Sequence, residues 1–411
     1  MKRFLILITI LGLIGTVTNL LYISPIPSLF AAICFPVILL YRNNFPSVVF
    51  WLFLFYVYVV ISTTLYHPAS FSNFRFYRYD GNFIISYLPL LVLPFLNYNL
   101  NIDRVFRFFL NITTTVSSVV FVADGLKFGG FNGLFVANNA AGGFYSIVTS
   151  LAFIYFLERK TPLNLLHLIL NVLFLYATYS RGSILGLALG GLFYYFFHIR
   201  KRYLIYLIIA GVCLVQVYIL FQTYPDYVKY VRGGPKVDYY TNYTRFILNS
   251  YGIVSVKFNN VLIRIYNTWP RAVDCFFHSP FFGTGFGSID DVPFKFESKI
   301  PLILSTNIQN NKVFTDSHAH HSFLHFLGEL GLFGLFIFLK FWKTIYKFLT
   351  KNNQDPRIRG FLLVSFYNLT IMSFTEHRIT TPSNALPFVL ALSLYYVYVN
   401  HQKKLEVNSN L

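Results

Sequence analysis

Charge is scarce in this 411-residue chain: 12% of its residues are charged, and only 15 are Asp or Glu. A soluble domain carries about 25% charged residues, so a water-soluble enzyme and a disordered chain are both poor fits. Cysteine is scarcer still. Cys34, Cys213 and Cys275 are dispersed and odd in number, which gives neither a disulfide framework nor metal-ligand spacing. The chain has no Walker loop and no Gly-x-Gly-x-x-Gly motif, so it lacks the usual backbone cradles for nucleotide phosphates. The 33 Lys and Arg residues give a net charge of +18. They sit between apolar runs rather than in one patch, which argues against a nucleic-acid partner.

What the chain does have is apolar bulk. Hydrophobic residues make up 55% and aromatic residues 20%, and the mean hydropathy is +0.56. A helix needs about 20 mainly apolar residues to cross the hydrocarbon. Twelve such runs occur, near 4–22, 26–41, 46–65, 82–97, 105–122, 136–157, 163–179, 183–199, 203–222, 322–342, 359–375 and 383–400. The runs are too long for barrel strands, and open backbone cannot face lipid. The expected fold class is therefore an all-α integral membrane protein with about 12 transmembrane helices.

Loop charge sets the expected orientation. With the amino terminus cytoplasmic, the inside segments hold 18 basic residues, the short outside loops hold five, and the long loop after the ninth run holds ten. Both termini are then cytoplasmic. The first run follows Met1-Lys2-Arg3 like a signal peptide, but no small-residue cleavage site comes after it, so it reads as a retained span. The resulting organisation is 1–222 as spans 1–9, 223–321 as one large outer loop, 322–400 as spans 10–12, and 401–411 as a short, frayed cytoplasmic tail.

Function is expected where polar residues gather against the hydrophobic trend, and a loop of this length is usually functional. The loop is rich in tyrosine, including Tyr224, Tyr227, Tyr239, Tyr240 and Tyr243. These suit either carbohydrate stacking or a membrane-interface belt. Outward-side arginines form a second feature: Arg181 after the seventh run, Arg245, Arg264 and Arg271 in the loop, Arg378 in the last outer turn, and Arg75 and Arg78 in the second. Guanidinium binds phosphate oxygens through a planar fork and keeps its charge. Arg181 and Arg264 read as anion-binding groups, whereas Arg75 and Arg78 read as headgroup contacts. The third feature is the cluster from Asp316 to His325, with His318, His320, His321 and His325. Histidine is the natural base near neutral pH. On a helix His321, His325 and Glu329 share a face, a spacing that also admits a metal ion held by His321 and His325 with His318 or Glu329. The plainer reading of His325 and Glu329 is a polar contact between helices.

These residues resemble a family. His320-His321, nine residues, then Gly331-Leu332-Phe333-Gly334 is similar to the His-Asn-x9-Gly-x-x-Gly pattern of the O-antigen ligase and O-antigen polymerase superfamily. In the same order come Phe135 to Asn139 opening the sixth run, Ser180-Arg181-Gly182, Arg264 to Trp269, and Ser279 to Gly287. Each motif alone is weak, and their order together makes the resemblance. One departure is His321 where the family pattern has Asn.

The resemblance implies a GT-C-like membrane glycosyltransferase of the bacterial inner membrane, working on its periplasmic side, with the large outer loop between spans 9 and 10. It implies an undecaprenyl-pyrophosphate-linked glycan as donor, with no nucleotide sugar, no cofactor and no metal. Carried over by position, His320 is the catalytic base, with His321 as its rival, and Arg181 and Arg264 are the functional arginines. Arg271, Arg378, Arg245, His318 and Asn139 are expected around the pyrophosphate or glycan. A polymerase of O-antigen, capsule or exopolysaccharide is the first expectation, and an O-antigen ligase acting on lipid A core is the alternative. From another class, a polytopic transporter or flippase remains. Besides the bilayer, the expected partners are a chain-length regulator and a flippase, with no nucleic acid.

Overall fold

The computed structural model describes residues 2–18, 26–41, 45–73, 80–198, 264, 268–293, 308–309, 312–313, 318–374 and 376–409. Helices account for nearly all of them: α1 (Lys2–Gly15), α2 (Ile26–Tyr41), α3 (Ser47–Tyr66), α4 (Asp80–Tyr87), α5 (Ile102–Ala123) and α6 (Asn138–Glu158). They continue with α7 (Pro162–Ala177), α8 (Arg181–His198), α9 (Trp269–His278), α10 (Ser322–Lys351), α11 (Pro356–Met372) and α12 (Pro382–Ser409). Two two-residue strands, Ile308–Gln309 and Lys312–Val313, pair antiparallel.

Eleven of the twelve apolar runs coincide with helical segments. The ninth, 203–222, lies outside the described residues, as do Arg245, Arg75, Arg78, Asp316 and the tyrosines named in the long loop. Among the described residues, five helices are long and apolar enough to cross a membrane: α3, α5, α6, α10 and α12. The protein is thus an all-α membrane protein, with one short strand pair among the described residues. The fourth run is broken into α4, a turn of helix at Pro89–Val92 and a 3-10 turn at Leu93–Phe95. Pro89 and Pro94 supply no N–H to the helical ladder, which explains the interruption. Residues 401–409, expected to be a frayed tail, instead continue α12 to Ser409.

The contacts divide the chain into two compact units. The first comprises Met1–Tyr56, Gly81–His198 and Ile337–Leu411. At one end of this unit, charged residues bind three helix ends together. Arg357 at the start of α11 reaches Glu158 at 3.1 Å and Asp103 at 3.3 Å, and Arg107 reaches Asp103 at 2.8 Å while covering the Tyr155 ring. The start of α5, the end of α6 and the start of α11 therefore share one end. Deeper in, Asn368 donates to Ser146 Oγ at 2.9 Å, and Ser150 and Ser365 pair at 3.1 Å. Small residues allow the approach, since a Cβ on Gly186 would meet Met372 Cγ at 2.2 Å.

The second unit comprises Val57–Asp80 and Ile199–Phe336. It holds the end of α3, α9, the glycine-rich loop after α9 and the first part of α10.

Candidate functional site

The second unit is built around a lock between loop 279–293 and α10. The helix is interrupted at Gly331, whose φ of 65° and ψ of −168° leave the helical region. The break opens two backbone donors, and the loop accepts both: Leu332 N–H reaches the Pro280 carbonyl at 2.8 Å and Phe333 N–H the Phe281 carbonyl at 3.1 Å. The backbones approach so closely that only glycine fits. A Cβ on Gly283 would lie 2.1 Å from the Glu329 carbonyl, and one on Gly331 would lie 2.6 Å from Gly283 N. Gly283, Gly285 and Gly287 all have positive φ, a region glycine enters without penalty. From α3, Tyr58 Oη lies 2.9 Å from the carbonyls of both Phe282 and Leu330, and Thr63 Oγ1 accepts Phe286 N–H at 3.0 Å.

Two buried charges hold the rest of the loop. Glu329 accepts Gly287 N–H at 2.7 Å and Ile289 N–H at 2.9 Å. Arg271 of α9 donates to the Ile289 carbonyl from Nε at 2.9 Å and from Nη2 at 2.7 Å, to the Val292 carbonyl, and to Asp274 at 2.9 Å. The sequence reading puts Arg271 on the pyrophosphate. The structure instead turns its guanidinium to loop carbonyls and a carboxylate, which makes it a group that shapes the loop.

Behind the loop, His325 Nε2 lies 2.7 Å from Asp80 Oδ1 and 3.2 Å from Glu329 Oε2, with all three side chains buried. His325 and Glu329 thus make the helix contact expected of them. Asp80 is a residue the sequence reading missed. The available signal was its position heading the fourth apolar run, where a carboxylate is costly without a partner.

Just before α10 stand the three histidines. His318 is buried, and burial lowers its tendency to take a proton; the charges of His320, His325 and Arg264 act in the same direction. His321 Nδ1 accepts Leu324 N–H at 3.1 Å, so the imidazole caps the helix. Its ring stands edge-on to Trp269 at 5.4 Å, and burial pushes its pKa down to about 4. His320 differs from both. It is half-buried, its φ is 51°, and its ring meets that of His318 perpendicularly at 4.0 Å. A left-handed histidine is uncommon, and such strained residues cluster at functional sites. The metal spacing read from His321 and His325 is used otherwise here: one nitrogen caps a helix and the other faces two carboxylates.

Arg264 is half-buried, and its carbonyl accepts from Thr268 at 3.5 Å. In the first unit, Arg181 is exposed at the start of α8, after Tyr179 with φ of 52° and the Ser180–Ser183 hydroxyl pair at 2.7 Å. Arg378 is buried beside Glu376, and its Nη1 donates to the Asn139 carbonyl at 2.7 Å and to Asn384 Oδ1 at 3.3 Å. Asn139 meets Arg378 through its backbone, and its side chain is exposed. The second unit therefore groups His318, His320, His321 and Arg271, while Arg181, Arg378 and Asn139 belong to the first.

Residues 166–339 match the sequence model of a family described as O-antigen ligase. The matched segment runs from α7 into α10. It contains the Arg181 turn, Arg264, the 279–287 loop, the histidines and the Gly331 break, and so bears out the resemblance drawn from those motifs. Members of that family are membrane enzymes of the glycosyltransferase type. No curated protein matches the chain.

Proposed function

We propose that the protein is a polysaccharide polymerase. It would transfer a glycan from undecaprenyl pyrophosphate to a sugar hydroxyl of a second lipid-linked repeat unit, on the outer side of the bacterial inner membrane. The observation that carries the reading is the division of labour among three adjacent histidines. Burial disfavours the proton on His318, a cap occupies Nδ1 of His321, and His320 is left half-exposed in a strained conformation. The family match over the same segment supports the substrate class.

In this reading His320 takes the proton of the acceptor hydroxyl as its oxygen attacks the anomeric carbon, a contribution of about 10²–10⁴-fold. The bond from that carbon to the pyrophosphate oxygen breaks, and undecaprenyl pyrophosphate leaves. Arg181 and Arg264 are assigned to the charge developing on it. Fixed guanidinium groups act mainly on the transition state, where removing one donor costs about 10²–10³-fold. Arg378 is tied to Asn139 and Asn384, and Arg271 to the loop, so both are assigned to positioning. Positively charged inside segments support cytoplasmic termini. A chain-length regulator and a flippase belong to the reading as partners.

A second reading, ligation of the finished glycan to lipid A core, is favoured by the description of the matched family. It is also favoured by His321, which caps the helix as an Asn at that position would. One experiment tests both: purified protein in lipid, with undecaprenyl-pyrophosphate-linked repeat units as the only substrate and products resolved by size. A ladder of longer glycans, absent in His320→Ala and weakened in Arg181→Gln, is expected. Transfer only onto added lipid A core would replace the polymerase with the ligase. No transfer by folded protein to either acceptor would sink both.

A further inference from the structure

Beyond glycan transfer, we propose that the first unit carries a binding site for an anionic glycerophospholipid at the amino-terminal end of α5. A cavity of about 560 Å³ lies there, lined by Ile10, Leu100, Asn101, Arg104, Val105, Phe108 and neighbouring residues of α5 including Asn111. Arg104, Phe108 and Asn111 follow a spacing of four and three, so they form one stripe on the helix. Arg104 and Asn111 stand about 10 Å apart along the axis.

Three observations define the occupant. First, the nearby carboxylates are engaged elsewhere: Asp103 and Glu158 bind Arg107 and Arg357. Among the described residues no carboxylate pairs with Arg104, whose guanidinium is exposed. This cation calls for an anion. Second, Asn111 is exposed on a candidate span, and among the described residues its side chain has no hydrogen-bond partner. An amide facing hydrocarbon is costly unless an acceptor reaches it. Third, Ile10, Leu100, Val105 and Phe108 give the cavity an apolar wall, suited to acyl chain. A glycerophospholipid supplies all three partners: a phosphate for Arg104, ester carbonyls for Asn111 and chains for the wall. Basic pockets between spans recognise lipid headgroups by this means.

Native mass spectrometry tests the site, using protein purified with equal phosphatidylglycerol and phosphatidylethanolamine. The parent protein is expected to retain phosphatidylglycerol preferentially through detergent washing. Arg104→Gln should reduce that preference by 5-fold or more, a ratio on the order of one lost charge-assisted hydrogen bond, whereas Asn111→Leu, which removes a donor to the ester carbonyls common to both lipids, should lower the retention of both and keep the preference. Lys403→Gln, an exposed charge on α12, should leave it unchanged. Arg104 and Asn111 are exposed, so neither substitution threatens the fold. No preference in the parent protein, or equal loss in Lys403→Gln, would overturn the proposal. The readout is lipid retention, so it is independent of glycan transfer.

Discussion

His321 accepts the backbone N–H of Leu324 on its Nδ1, at 3.1 Å. A ring nitrogen that accepts cannot also carry the proton, so the neutral ring bears its hydrogen on Nε2. The imidazole therefore does a capping residue's work at the start of α10. Asn is among the best capping residues, so His321→Asn should keep both the melting temperature and the transfer rate near parental values. His320→Ala should lower transfer by about 10²–10⁴-fold without a change in stability. Rates and thermal melts of the two variants check this, and a His321→Asn protein as inactive as His320→Ala would reverse the assignment of the base.

The same burial predicts a pH window. The folded-state pKa of His321 is about 4, against about 6.5 in an unfolded chain. Between those values the unfolded state binds more protons, so stability falls as pH drops from 6.5 towards 4. The slope from this group is at most about 1.4 kcal/mol per pH unit. His318 acts in the same sense. Thermal melts across the window should slope less in His321→Asn, and an unchanged slope would contradict the burial argument.

Glu329 and Arg271 grip opposite ends of one residue, the N–H and the carbonyl of Ile289. Removing Glu329 takes the acceptor from two loop N–H groups and a carboxylate from buried His325, and removing Arg271 takes the donor from loop carbonyls and the cation from buried Asp274. Glu329→Ala and Arg271→Ala should each destabilise the protein by about 3–5 kcal/mol. Chemical or thermal unfolding in detergent measures the loss. Arg181→Gln, on an exposed side chain, should melt like the parent, and a comparable fall there would undo the distinction drawn between these arginines.

The glycine lock gives the sharpest contrast. Gly283→Ala and Gly331→Ala combine a positive φ with a Cβ inside 2.7 Å of backbone atoms, and each should cost at least about 2 kcal/mol. Gly191→Ala meets nothing within 4 Å on α8 and should be neutral or stabilising by about 0.5–1 kcal/mol. Monodispersity on size exclusion after heating ranks the three, and an unharmed Gly331→Ala would contradict the lock.

How much of this could be read from sequence follows from physics. Apolar runs are visible because lipid demands an unbroken length of them, and eleven coincide with helical segments. The breaks in the fourth run were marked by its prolines. The glycines of 279–287 and 331–334 stood out as motifs, but the reason for them is backbone touching backbone across some fifty residues, which spacing does not reveal. Asp80 pairs with a histidine 245 residues away, so its place at the head of an apolar run called for a partner without naming one. Arg271 is ambiguous in sequence because a guanidinium matches a row of carbonyls as well as it matches a phosphate.

The interruption at Gly331 bears on how the protein is made. Leu332 and Phe333 lie in a candidate span, and their N–H groups are met by carbonyls of a segment synthesised about fifty residues earlier. Until that segment docks, hydrocarbon offers those two donors nothing, at a cost of several kcal/mol. Insertion of this helix and closure of the loop are therefore one cooperative event during biogenesis. A defect in loop 279–293 should emerge in the cell as a quality-control failure of the helix it docks on.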